Sequence, residues 1–131
     1  MLLTTNFSLG EFTRNYDRAV TDSQMSNLER LASNLQALRN YVGKPVFVNS
    51  GLRSVEHNEA VGGVKDSRHL YGQAADIRVD GMTTQQLNDA IEHLVSIGEM
   101  EQGGLGIYDT WVHYDVRGVR ARWDNRKKKA Q

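Results

Sequence analysis

The sequence of 131 residues contains no cysteine. That excludes disulfide staples, thiolate nucleophiles and cysteine-based zinc fingers together. Any metal must therefore be held by histidine or carboxylate. Histidine is scarce as well. His57, His69, His93 and His113 make up the full set, so the choice of imidazole ligands is short. The chain also lacks a long apolar run. Its start, Met1-Leu2-Leu3-Thr4-Thr5-Asn6, has neither the basic segment nor the apolar stretch of a secretory signal. The expectation is synthesis in the cytoplasm without a signal peptide and without a membrane span. A substrate outside the cell would then require lysis or a dedicated export route. No internal repeat or low-complexity stretch interrupts the chain, and its length suits one domain able to bury about two-thirds of its unfolded surface.

Net charge is zero, but its distribution is uneven. From Arg117 to Gln131, Arg117, Arg120, Arg122, Arg126, Lys127, Lys128 and Lys129 stand against Asp124, a balance of +6. Residues 1–116 carry −6. The expected division is a domain over 1–124 and a basic, solvated tail over 125–131. Contact with a polyanionic surface is the sharper reading of that tail. Nucleic acid is not expected as a partner, because the body is acidic and basic residues do not alternate with aromatic ones.

Apolar periodicity sets the elements. Ser8 and Glu11 form a capping-box pattern before Phe12 and start a short helix. Met25, Leu28, Leu31, Leu35, Leu38 and Val42 recur at helical steps and stop at Gly43. Val46-Phe47-Val48 reads as a buried strand after Pro45. One or two helical turns follow over 55–61. Ala74 to Val79 reads as a strand. Thr83 and Gln86 then cap a helix carrying Leu87, Ala90, Ile91, Leu94 and Val95. Leu105 to Tyr108 and Trp111 to Val116 read as a hairpin joined at Asp109-Thr110. The fold class is thus α+β, a small, largely antiparallel sheet with flanking helices.

The chemistry lies in Ser67-Arg68-His69-Leu70-Tyr71-Gly72-Gln73-Ala74-Ala75-Asp76. On a continuous helix, His69 and Asp76 would stand about 10 Å apart along the axis. Two ligands of one zinc cannot be so distant, since each bond is about 2.0–2.2 Å. The chain must fold back, and Gly72 permits the turn. A third ligand must be another imidazole or carboxylate. His113 lies in an apolar-flanked run whose alternation puts Trp111, His113 and Asp115 on one face. Three ligands with one open position is the usual catalytic zinc arrangement.

The pattern S-x-H-x-x-G-x-A-x-D followed by H-x-D resembles the M15 family of zinc D-Ala-D-Ala peptidases. That family includes carboxypeptidases, vancomycin-resistance dipeptidases and phage endolysins, and the hedgehog signalling domain shares its fold. Asn49-Ser50-Gly51-Leu52-Arg53-Ser54 resembles the family's S-G-Y-R-S segment, with Leu52 in place of tyrosine. Asn6-Phe7-Ser8-Leu9-Gly10-Glu11-Phe12 resembles the start of its small members. The resemblance spans about residues 6–123.

It implies zinc as cofactor, with His69, Asp76 and His113 as ligands. Arg53 is implied to bind a substrate carboxylate or a developing oxyanion, and Ser67 to line the substrate pocket. The implied substrate is a peptidoglycan peptide, cut as a carboxypeptidase or as an endolysin-type endopeptidase. Separately from the resemblance, the expected oligomeric state is a monomer. Small size, the missing signal and the basic tail fit a phage or prophage endolysin acting on the cell wall after release. Many members carry a carboxylate three residues before the last histidine. Here Thr110 holds that place, so Asp109 becomes the first candidate for general base and Asp115 the second. Thr110 also keeps open the alternative of a zinc-bearing binding module without turnover. His57 and His93 read as structural helix residues. Gly62-Gly63 and Gly103-Gly104 read as turns, since no Lys-Ser/Thr follows them. Trp111 and Trp123 read as core or pocket wall.

Overall fold

The computed structural model describes residues 1–127. Helix α1 (Leu9–Phe12) is one turn started by the Ser8/Glu11 capping box. Helix α2 (Asp22–Val42) begins three residues before the apolar pattern does, because a second capping box at Thr21 and Gln24 starts it. It stops where Gly43 turns left-handed at φ 67°. Its Leu28, Leu31, Leu35 and Leu38 are fully buried. Each such side chain contributes about 1.5–3 kcal/mol of burial. Helix α3 (Val55–Ala60) and helix α4 (Thr84–Ser96) complete the α-helices among the described residues.

Among the described residues, five strands form the sheet: β1 (Phe47–Ser50), β2 (Ala74–Arg78), β3 (Gly104–Ile107), β4 (Val112–Asp115) and β5 (Ala121–Asp124). Their spatial order is β1-β2-β4-β3-β5. All pairs are antiparallel except β3 with β5. The fold is therefore α+β with a mostly antiparallel sheet. Strand alternation divides the residues between two faces. Ala75, Ile77, Leu105, Val112 and Tyr114 join the leucines of α2 and Leu87, Ile91 and Leu94 of α4 in one core. Asp76, His113 and Gly106 occupy the alternate positions.

The expected hairpin is present as β3 and β4, closed by Tyr108 N–H donating to Trp111 C=O at 3.0 Å. Sequence reading ended the sheet there, and the structure adds β5. Its four residues are all half-buried, so they carry no alternation by which a strand could be recognised. The segment assigned to a tail from residue 125 begins tied to the domain. Asn125 N–H donates to Ile107 C=O at 2.8 Å, Lys127 N–H donates to Asp109 at 2.9 Å, and Arg126 pairs with Asp124. Lys128, Lys129 and the rest of the tail lie outside the described residues. Among the described residues, no helix is long and apolar enough to cross a membrane.

Candidate metal centre

One cross-strand row builds the site. Ser50 on β1 pairs with Asp76 on β2, Asp76 with His113 on β4, His113 with Gly106 on β3, and Gly106 with Trp123 on β5. Residues directly opposite one another in a sheet share a face, so five strands deliver one line of functional groups. His69 joins the line from a 3₁₀ turn (Arg68–Tyr71) immediately before β2. The turn ends at Gly72 with φ 76°. A Cβ there would meet Gln24 C=O at 2.9 Å, so glycine is needed for space as well as for conformation. This is the fold-back that brings His69 to Asp76.

Hydrogen bonds set the tautomers of both imidazoles. His69 Nδ1 lies 2.8 Å from Gly51 C=O. A carbonyl only accepts, so Nδ1 carries the proton and Nε2 is left with its lone pair. His113 Nε2 lies 2.7 Å from Asp115 Oδ2, which leaves Nδ1 as the nitrogen a metal can take. The remaining nitrogen of each ring lies 3.2 Å from one atom, Asp76 Oδ1. A proton shared with the carboxylate, or a metal ion in its place, holds these three groups together. The three ligand atoms lie within 4.8 Å of one another. Tetrahedral bonds of about 2.05 Å separate ligand atoms by about 3.3 Å, so the donor set fits zinc. Burial alone would raise the Asp76 carboxyl, but the His113 and His69 imidazoles beside it hold it well below the usual carboxylate range. It is ionised, as a ligand must be.

Arg53 holds the other oxygen of the same carboxylate. Its Nη2 donates to Asp76 Oδ2 at 3.0 Å, its Nε to Ser50 Oγ at 3.0 Å and its Nη1 to Asn58 Oδ1 at 3.3 Å. All three nitrogens are thus engaged, one of them on Asp76, and Ser50 and Asn58 fix the guanidinium in that position. Arg53→Lys replaces the planar fork with a point charge. Loss of such an outer contact typically costs about 10–100-fold in metal affinity. Zinc titration of that variant checks the expectation, and unchanged affinity would remove Arg53 from the support of Asp76.

The remaining candidates divide. Ser67 is buried, lines the cavity beside the triad and caps the 3₁₀ turn by accepting from His69 N–H at 3.2 Å. Asp115 is fully buried behind His113. Its oxygens accept from His113, Arg117 and the Gly104 N–H. The structure does not bring Asp109 to the triad. It is exposed in the hairpin turn with Thr110, holds Lys127 N–H, and is absent from the cavity wall. The Tyr108–Trp111 hydrogen bond closes this turn tightly and keeps Asp109 away from the triad. Asp109→Asn is therefore expected to keep turnover within about twofold of the parent. Removal of a true general base costs about 10²–10⁴-fold, so steady-state rates separate the two outcomes.

A cavity of about 700 Å³ opens over the triad. Tyr108 and Trp111 stack at 4.6 Å on its wall, and Trp123 lies 5.0 Å from the His113 ring. Trp123 Nε1 donates to Tyr108 Oη at 2.9 Å. A Cβ at Gly106 would overlap the Trp123 indole, and one at Gly104 would overlap the Asp115 carboxylate. The glycines on β3 therefore make room for the flanking side chains of the site. Sequence reading missed Tyr108, Arg117 and the purpose of Gly104 and Gly106. The signal available was glycine at alternate strand positions, which marks a close approach. Asp66 also lines the cavity, and its Oδ1 accepts from the Tyr71 hydroxyl at 2.5 Å.

A fold of this class with a buried His-Asp-His triad under an aromatic-walled cavity has the form of a metal-dependent hydrolase. The family model described as Peptidase M15 matches residues 5–115, and the chain belongs to that family. Over 44 residues the chain is 57% identical to the zinc D-Ala-D-Ala carboxypeptidase of Streptomyces albus G, which covers 33% of this chain and 17% of that protein. The chain thus spans about a sixth of the length of that curated relative. The structure is also similar to that of the Serratia marcescens L-Ala D-Glu endopeptidase ChiX, with a TM-score of 0.46 and 20% identity over 79% of this chain and 92% of that one.

Proposed function

We propose that this protein is a zinc peptidase that hydrolyses peptide bonds involving D-amino acids in the stem peptides or cross-bridges of bacterial peptidoglycan. The observation that carries the reading is the convergence of two imidazole nitrogens on Asp76 Oδ1, with the other nitrogen of each ring held by Gly51 C=O or Asp115. Membership of the M15 family supports peptidase chemistry. The name of the Streptomyces relative supports zinc and the D-alanine-containing substrate.

His69 Nε2, Asp76 Oδ1 and His113 Nδ1 would hold the ion. Zinc, when bound, supplies a Lewis acid for the scissile carbonyl and acidifies water to a useful nucleophile. The chain's own residues do the rest. Gly51 and Asp115 fix which nitrogen of each imidazole is free. Arg53 fixes which oxygen of Asp76 faces them. Tyr108, Trp111 and Trp123 give the peptide an apolar wall that excludes water from one side of the bond.

Zinc-loaded protein incubated with purified peptidoglycan should release new amine ends, and a chelator should abolish the release. Mass spectrometry of the products distinguishes the bond. Free D-alanine marks a carboxypeptidase, and separated stem peptides mark an endopeptidase. No new amine ends from protein carrying one zinc per chain would favour a binding module without turnover.

A further inference from the structure

Three guanidinium groups line the cavity: Arg53, Arg68 and Arg117. Two carboxylates share that wall, Asp66 and Asp76. Arg53 is engaged at all three nitrogens. Arg117 grips Asp115 through Nε and Nη2 and lies over the Trp123 ring at 5.5 Å. Arg68 differs from both. It is half-buried, directly precedes the ligand His69 on the 3₁₀ turn, and makes no side-chain hydrogen bond or ion pair among the described residues. Asp66, two positions earlier, holds the Tyr71 hydroxyl and does not pair with it. A planar fork with free donors, half removed from water beside the ligand turn, suits a carboxylate that arrives with the substrate.

We infer that Arg68 anchors a carboxylate of the substrate, so that the cavity selects acidic peptides. This rests on the peptidase reading above. It also relocates carboxylate recognition from Arg53, whose three nitrogens are taken by Asp76, Ser50 and Asn58, to the neighbouring guanidinium. The chemistry recognised is a carboxylate. Its source is either a C-terminus or an acidic side chain of the peptide.

The probe is N-acetyl-L-Ala-γ-D-Glu-L-Lys-D-Ala-D-Ala with three variants: amidated at the C-terminus, amidated at the free carboxyl of D-Glu, or amidated at both. Zinc-loaded protein is compared with Arg68→Gln and Arg68→Lys by kcat/KM and, separately, by calorimetric Kd. The parent should prefer a peptide bearing the recognised carboxylate by about 10–100-fold, the range of a charge-assisted pair. The single amidation that abolishes the preference identifies the source. Arg68→Gln should lose the preference while binding the doubly amidated peptide as the parent does and keeping one zinc per chain. Arg68→Lys should retain part of it.

Equal behaviour of acidic and amidated peptides toward the parent overturns the assignment. So does an Arg68→Gln loss of equal size on every peptide. If zinc is bound and no peptide is cleaved, the peptidase reading fails, and the Kd comparison still decides Arg68.

Discussion

Replacing His69 with alanine is expected to leave a folded protein without zinc and with peptide hydrolysis reduced by at least about 10³-fold. The size follows from chemistry. A Lewis acid supplies several kcal/mol to the transition state, and each 1.4 kcal/mol is a factor of ten in rate. The fold should survive. His69 sits on a short turn at the edge of the core, and its loss removes one hydrogen bond to Gly51, worth about 0.5–1.5 kcal/mol. Two ligands remain, which is one short of the usual catalytic set. Metal content per chain, measured after exhaustive dialysis, is the decisive quantity. A variant that keeps one zinc removes His69 from the ligand set.

The same centre should release zinc in acid. Burial lowers the pKa of His113, but hydrogen bonds and charge from Asp115 and Asp76 outweigh burial and raise it above the ordinary histidine value. Zinc must displace that proton to bind. Apparent zinc affinity should therefore fall as pH drops through this raised pKa, and recover on neutralisation.

The part of this site that lies within one local stretch was legible in the sequence. His69, Gly72 and Asp76 lie within eight residues, and the spacing itself demanded a fold-back. His113 and Asp115 followed from period-two alternation on a strand with apolar neighbours. Both helices with strong periodicity were legible because leucines at steps of three and four line one face of a helix, whereas on a strand they would scatter over both faces. Contacts that cross the chain were not legible. The Arg53–Asp76 pair joins residues 23 positions apart. Arg53 could be named from resemblance, but its engagement with a ligand carboxylate depends on β1 and β2 being neighbours. Strand β5 was hidden for a related reason. Ala121-Arg122-Trp123-Asp124 is half-buried throughout, and it pairs in parallel with β3, a strand 14 or more residues away. The reason for that pairing lies in its partner. Gly106 offers an empty position that the Trp123 indole fills. The placement of Asp109 away from the triad was hidden for the opposite reason. A turn of two exposed residues leaves its side-chain direction to backbone geometry, which residue types at those positions do not determine.

Asp115→Ala is expected to have the largest effect on stability of any change at the site. Asp115 is fully buried, and its carboxylate accepts from His113 Nε2, from Arg117 Nε and Nη2, and from the N–H groups of Gly104 and Arg117. Burial alone would raise its pKa, yet donors from His113, Arg117 and Gly104 hold the group well below the usual carboxylate range. Removing one partner of a buried ionic network typically costs about 3–5 kcal/mol, because the other charge stays behind. For a chain of this size that lowers Tm by roughly 10–20 °C. Asp115→Asn keeps the shape and one acceptor, so its stability loss should be smaller, and it isolates the functional question. If Asp115 orients His113, zinc affinity falls by about 10–100-fold, and kcat returns close to the parent value once zinc is saturating. If Asp115 takes a proton during turnover, kcat stays depressed by about 10²–10⁴-fold at any zinc concentration. The geometry favours the first outcome. Every oxygen of Asp115 is already occupied, and the carboxylate lies behind the imidazole rather than on the cavity wall. A zinc titration of kcat in Asp115→Asn therefore separates an oriented ligand from a proton acceptor in one experiment.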